Sequence, residues 1–272
     1  MKSVALGQYY AVDSPIHRLD ARTKVILAIL YIVASFLCKN VISFALLLVS
    51  GIVLVLISRI PVKVILKALR PIIVIMLFTV VINVFMTSGE ALLFEWRFIK
   101  IYKEGIYNAA FMAVRIIILI IGASVFLTYT TTPISLTDAI ERLLKPLRKI
   151  KVPVHEFAMM MTIALRFIPT LVDETDKIMS AQKARGAAFD SGSLISRAKA
   201  LVPILVPLFV SSFRRADELA TAMESRCYHG GEGRTKMTVT HMHFSDIAAM
   251  ILMVLFGAAI VFINFLKFGY SM

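Results

Sequence analysis

Apolar residues gather into five blocks, at Val25–Cys38, Val41–Ile57, Pro71–Met86, Ala109–Tyr129 and Ile247–Leu266. Blocks of this length and purity predict membrane-crossing helices. The first, at fourteen residues, is short for a span, but Lys24 at its edge can snorkel and extend it. Only Lys39-Asn40 parts the first block from the second, so the pair is either one very long helix or a hairpin.

Between the fourth and fifth blocks the pattern turns amphipathic. Thr132-Pro133 reads as a helix start, with threonine as cap and proline in the first turn, and the helix should run to about Leu144. A second helix is predicted from Val154 to Ala188, with Phe157, Met160, Met161, Ala164, Leu165 and Ile168 at helical spacing and Arg166, Asp173 and Lys177 on another side. It would reach roughly 50 Å, less any kink at Pro169. Asp190-Ser191-Gly192-Ser193 breaks the chain, and a third helix runs from Leu194 to Cys227 before Gly230-Gly231-Glu232-Gly233. Leu201–Val210, apolar throughout and holding Pro203 and Pro207, is too short to span. It reads either as packing against the second helix or as a docking surface for another membrane protein.

The two long helices end alike, the second at Ala184-Arg185-Gly186 and the third at Ser225-Arg226-Cys227. An arginine near a helix C-terminus complements the macrodipole. Two of them, each between small residues that let a helix tip enter a groove, point instead to a pair of plugs for sockets on another protein. The guanidinium offers five donors in a planar fork and stays charged.

Composition agrees with the pattern. Of 272 residues, 59% are hydrophobic, and the mean hydropathy is +0.83. The net charge of +13 fits inward-facing loops rather than a nucleic-acid surface, which would need a soluble basic face with interleaved aromatics. Charge also sets the topology. Arg59, Lys63, Lys67 and Arg70 follow the second block with no acid among them, on one helical stripe that Pro61 can open. This is a short helix on the inner membrane surface, touching lipid headgroups or a partner. Residues 88–105 balance three bases with three acids, whereas residues 132–242 carry sixteen bases and eleven acids. The hairpin then satisfies every loop, giving five spans with the N-terminus inside. The first 24 residues lack the apolar core of a signal peptide, which predicts a retained N-terminus.

The expected fold is therefore an all-α polytopic membrane protein, with about five transmembrane helices and a cytoplasmic or interfacial set of long amphipathic helices. Its regions are 1–131 with four spans, 132–242 with the long helices, and 243–272 with the last span.

Catalytic apparatus is missing from the pattern. No Gly-Lys pair exists to build a phosphate loop, and His155-Glu156 lacks the second histidine of a zinc-protease helix. His241-Met242-His243 is too sparse for a metal site, and Cys38 and Cys227 have no partners at zinc or disulfide spacing. Asp173, Glu174 and Asp176 read as a solvated face or a contact for a partner's bases. Arg115, inside the fourth block, is expected to pair with Glu104 or to snorkel.

Several ordered motifs resemble the transmembrane T component (EcfT) of energy-coupling-factor vitamin transporters. They are Ser14-Pro15-Ile16-His17-Arg18-Leu19-Asp20 with Arg22-Thr23-Lys24, the Thr-Thr-Pro start at 131–133, Arg166-Phe167-Ile168-Pro169, Ala184-Arg185-Gly186, and Glu224-Ser225-Arg226-Cys227-Tyr228. The resemblance covers nearly the whole chain. It implies a non-catalytic subunit of an ABC importer in a prokaryotic cell membrane. Arg185 and Arg226, with Ala184, Gly186, Ser225 and Cys227, would dock on two ABC ATPase subunits of the EcfA and EcfA' type. One or several interchangeable S components would capture the vitamin or other micronutrient, docking near Met160, Met161, Leu201, Leu205, Leu208 and Phe209. ATP and Mg would sit on the ATPases, leaving this chain without a cofactor of its own. The second triplet reads Ser-Arg-Cys where the family often has Ala-Arg-Gly, which bears on its flanking packing. A YidC-like membrane insertase is the alternative from another class. It needs a polar groove open to lipid, and beyond Arg115, Thr79, Asn83 and Asn108 few residues could line one.

Overall fold

The computed structural model describes residues 9–87, 92–96, 99–187, 189, 193–230 and 242–265. Its helices are α1 (Ala21–Leu37), α2 (Val41–Ser58), α3 (Val62–Leu69), α4 (Ile73–Met86), α5 (Lys103–Ala123), α6 (Pro133–Leu143), α7 (Val154–Ala184), α8 (Leu194–Glu224) and α9 (Phe244–Phe265). The one departure from a helical fold among the described residues is an antiparallel hairpin of β1 (Leu92–Trp96) and β2 (Ile99–Tyr102), pairing Glu95 with Lys100 and Trp96 with Ile99. It lies in the charge-balanced loop, too short a segment for periodicity to register. The chain divides into two compact units. One combines Gly7–Ala139 with Thr240–Met272, and the other is built on Ile140–Val239.

In the first unit, α1 and α2 form the expected hairpin. Cys38 leaves the helix in an extended conformation, and Val41 restarts it. The helices pack mainly on α5 and α9. Tyr31, 1% exposed, inserts from α1 toward α2 and α5 and meets Phe126 edge-to-face. A methyl group at Gly122 would overlap the Tyr31 ring, so that position admits hydrogen alone. Past Ala123 the helix widens into a π segment, Ser124–Tyr129. The hydroxyls of Thr130 and Thr131 both donate to the Phe126 carbonyl there. The Tyr129 hydroxyl donates to the Val64 carbonyl, fastening α3 to this end of α5.

Polar side chains join α1 to α9 at both ends. Asp20 caps α1 by accepting from the Arg22 amide, and its own amide donates to Asp246 Oδ1 at 2.8 Å. Asp246 is fully buried, and its Oδ2 accepts from the His243 amide. At the opposite end, Asn264 Nδ2 donates to the Leu37 carbonyl at 2.6 Å, and its Oδ1 accepts from Ser43 Oγ. The two helices therefore run parallel and in register.

This register decides which helices cross. By length and composition, five qualify: α2, the continuous run Val62–Met86, Lys103–Tyr129, α8 and α9. α1 has 17 residues, about 26 Å, and falls just short. Because its ends are fastened to both ends of α9, it must cross wherever α9 does. α8 qualifies only with charged flanks, since fourteen residues separate Lys199 from Arg214, about 21 Å of apolar helix against a core of about 30 Å. The protein is a multi-pass membrane protein.

The basic stripe is shorter than expected. Arg59 takes a left-handed conformation that ends α2, and its guanidinium donates to the Asp13 carbonyl. Pro61 caps α3, and Lys63, Lys67 and Arg70 keep the stripe. Arg115 also departs from expectation. Its Nη2 donates to the Cys38 carbonyl at 3.0 Å, and its guanidinium lies 5.0 Å from the centre of the Phe44 ring. A helix end leaves its last carbonyls unsatisfied, so the intramembrane charge serves the α1–α2 turn rather than Glu104.

The motif preceding α1 is a packed arm. Ser14 and Ile16 are buried, and the Tyr10 amide donates to the Tyr129 carbonyl. His17 Nε2 donates to the Tyr10 carbonyl while Nδ1 faces Ser14 Oγ at 2.7 Å. Lys24 Nζ, also buried, donates to the carbonyls of His17 and Thr130. The arm closes one end of the bundle.

Candidate functional site: two matching helix tips

In the second unit, Pro169 lies inside α7 and Pro203 and Pro207 inside α8, yet each helix persists for 31 residues. Both stop earlier than their periodicity predicts, and for the same reason. At the end of α7 the Gly186 amide donates to the Lys183 carbonyl and the Ala187 amide to Gln182, with Gly186 at φ 87°. At the end of α8 the Cys227 amide donates to Glu224 and the Tyr228 amide to Met223, with Cys227 at φ 56°. Each is a Schellman cap, in which a left-handed residue turns the chain back over the last carbonyls.

The triplets therefore superpose position for position. Matched by these hydrogen bonds, Ala184 aligns with Ser225, Arg185 with Arg226, and Gly186 with Cys227 in the left-handed place, although α8 itself ends one residue earlier in this frame, at Glu224. Open space surrounds Gly186, so glycine is favoured there for its backbone alone. Cys227 meets the same demand with a β-carbon, at a cost of about 1 kcal/mol. The Ser-Arg-Cys variation thus also bears on the backbone conformation at position 227. All six residues are exposed, and neither arginine side chain forms a hydrogen bond or ion pair with another described residue. Their donors are free for a partner's acceptors.

α7 and α8 meet at one ionic contact. Arg215 Nη2 donates to Glu174 Oε2 at 2.9 Å, and its guanidinium lies 5.8 Å from the centre of the Phe167 ring. Glu174 is thus not part of a solvated carboxylate face. Arg185 lies eleven residues beyond Glu174, and Arg226 eleven beyond Arg215, about 16 Å of helix in each case. Sequence reasoning missed this contact because no spacing rule links residues 41 apart. Near the start of α7, His155 Nδ1 sits 3.0 Å from Glu141 of α6, and Thr132 Oγ1 accepts from the Ser135 amide at the expected start of α6.

The apolar positions of the long helices are open. Met160, Met161, Leu201, Leu205 and Phe209 are exposed by 40% or more, and Leu208 is half-buried. Among the described residues no group of three or more histidine, cysteine, aspartate or glutamate side chains could hold a metal ion. His243 of the weak histidine pair lends its amide to Asp246; His241 lies outside the described residues, as do Asp190–Gly192 and Gly231–Gly233.

Fold and site together define a polytopic membrane protein presenting two equivalent cationic helix tips. Residues 13–237 match the family model of the CbiQ cobalt transport proteins. An energy-coupling factor transporter transmembrane protein EcfT from Clostridium kluyveri is 54% identical over 252 residues, 92% of this chain and 93% of that one. Its counterparts from Ruminiclostridium cellulolyticum and Bacillus subtilis are 51% and 47% identical, covering 98% and 97% of this chain and 100% and 99% of their own. The chain belongs to the EcfT family of energy-coupling-factor transporter transmembrane components. The insertase alternative is left without support.

Proposed function

We propose that this chain is the non-catalytic coupling subunit of an importer, passing ATP-driven motion from two ATPase subunits to a substrate-binding S component that takes up vitamins or other micronutrients. The observation carrying this reading is the duplicated cap, which puts two unpartnered guanidinium groups on equal arms beyond one crossing. Arg185 and Arg226 each enter a groove on one ATPase, which keeps the ATP and Mg. When nucleotide closes the ATPases, the tips approach and the arms pivot about Glu174 and Arg215. The open apolar positions, Met160, Met161, Leu201, Leu205, Leu208 and Phe209, carry that motion to the S component. Methionine side chains adapt to different surfaces, which suits several interchangeable S components. The chain lies in the cell membrane with its N-terminus and long helices on the cytoplasmic side, where the basic residues concentrate.

A charge-assisted hydrogen bond contributes about 1.5–3 kcal/mol, and two on one body act jointly. Arg185→Ala with Arg226→Ala is expected to abolish uptake in proteoliposomes and loosen the ATPases from the complex. A double variant that purifies with its full ATPase complement and transports normally would refute the reading.

A further inference from the structure

A groove of about 500 Å³ opens between α3, the turn at Arg70–Ile72, the start of α4 and the middle of α5. One rim carries Lys63, Lys67 and Arg70, one helical turn apart and exposed. None of the three pairs with another described residue. Nothing in the neighbouring sequence offsets them, since residues 21–89 and 105–137 contain no aspartate or glutamate. The opposite wall is hydrocarbon, with Ile73 and Met76 from α4 and Ile117 and Ile120 from α5. The Tyr129–Val64 hydrogen bond holds α3 against α5 and fixes the two walls.

Three cations above an apolar wall select a ligand of matching design. A free anion would leave the wall uncovered, and a neutral apolar molecule would leave the cations without counter-charge. A zwitterionic headgroup brings an ammonium that the cations repel. An acidic protein segment would match the cations but has no need of a wall that continues along two membrane-crossing helices.

We propose that this groove binds one anionic phospholipid, its phosphate and headgroup held by Lys63, Lys67 and Arg70 and an acyl chain laid along α4 and α5. Clustered basic residues beside a membrane helix attract anionic lipid; here an apolar trough adds a fixed place for the chain. The site is distinct from the helix tips, so its occupancy can be tested apart from coupling.

The test is native mass spectrometry of the full-length, delipidated chain titrated with phosphatidylglycerol or phosphatidylcholine. The chain is expected to retain one phosphatidylglycerol with at least a tenfold preference, on the order of what a few cations near a membrane surface supply. Lys63→Gln, Lys67→Gln and Arg70→Gln combined should abolish the preference. Ile117→Trp, which fills the trough and leaves the charges, should lower retention, and it decides the matter if the triple variant does not fold. Equal retention of both lipids by the unaltered chain would overturn the proposal, as would undiminished phosphatidylglycerol retention by the variants. So would a photo-cross-linker in place of Leu66, which lines the groove, that captures an acidic protein segment in native membranes.

Discussion

The crossing of α7 and α8 offers a quantitative test. Arg215 and Glu174 remain 28% and 25% exposed, so solvent screening lowers their charge-assisted hydrogen bond to about 1–1.5 kcal/mol. The contact with the Phe167 face adds about 0.5 kcal/mol. Together these favour the closed crossing by roughly 1.5–2 kcal/mol, about 10- to 30-fold in its population. The perturbation is a double-mutant cycle with Arg215→Met, Glu174→Gln and both, read by unfolding free energy of the assembled complex in a denaturing-detergent titration. A coupling energy of about 1 kcal/mol is expected. Exchanging the pair, Glu174→Arg with Arg215→Glu, restores the ion pair but sets a carboxylate near the Phe167 ring face, so recovery should be partial. Additivity within about 0.3 kcal/mol would show that the contact fastens nothing. If the crossing is a pivot, a loosened variant should keep hydrolysing ATP while uptake falls. Normal uptake with a measurably weakened crossing would refute the lever reading.

The caps make an opposed pair of predictions: Gly186→Ala should cost about 1 kcal/mol and Cys227→Gly gain up to that amount, because both positions are left-handed; thermal unfolding of the complex checks the signs. Asp246→Ala removes a buried side chain that accepts from the part-buried Asp20 and His243 amides, so a loss of about 2–3 kcal/mol is expected; a variant that unfolds like the parent would contradict this. Burial, with the Lys24 cation nearby, holds the His17 pKa below its ordinary 6.5. The unfolded chain then takes up the proton first, so the arm is fully stable above about pH 6.5 and loses stability as pH falls through that value; a melting point that rises on acidification, relative to His17→Asn, would reverse the sign.

Much of the fold was legible because helices report themselves through local periodicity. The Lys39-Asn40 break, the Thr132-Pro133 start and the arginines at both long-helix ends all follow from neighbouring residues. What escaped involves partners far along the chain. Asp20 meets Asp246 across 226 residues, and Arg115 reaches Cys38 across 77. The signature from Ser14 to Lys24 could be matched to a family, yet its work as a packed arm emerges only when Tyr129, Thr130 and Asp246 come beside it. The helix ends were misplaced by three or four residues because Ala187–Ala188 and Ser225–Cys227 are compatible with a helix. Only the left-handed turn stops them earlier.

The parallel seam of α1 and α9 bears on how the protein is made. Asn264 emerges from the ribosome more than two hundred residues after the Leu37 carbonyl it satisfies. Until then the Leu37 carbonyl lacks its donor at one end of the first crossing, and the Asp20 amide lacks its acceptor at the other. The bundle therefore closes late in synthesis, and an interrupted product ending before Asp246 would expose both defects to the cell's quality control.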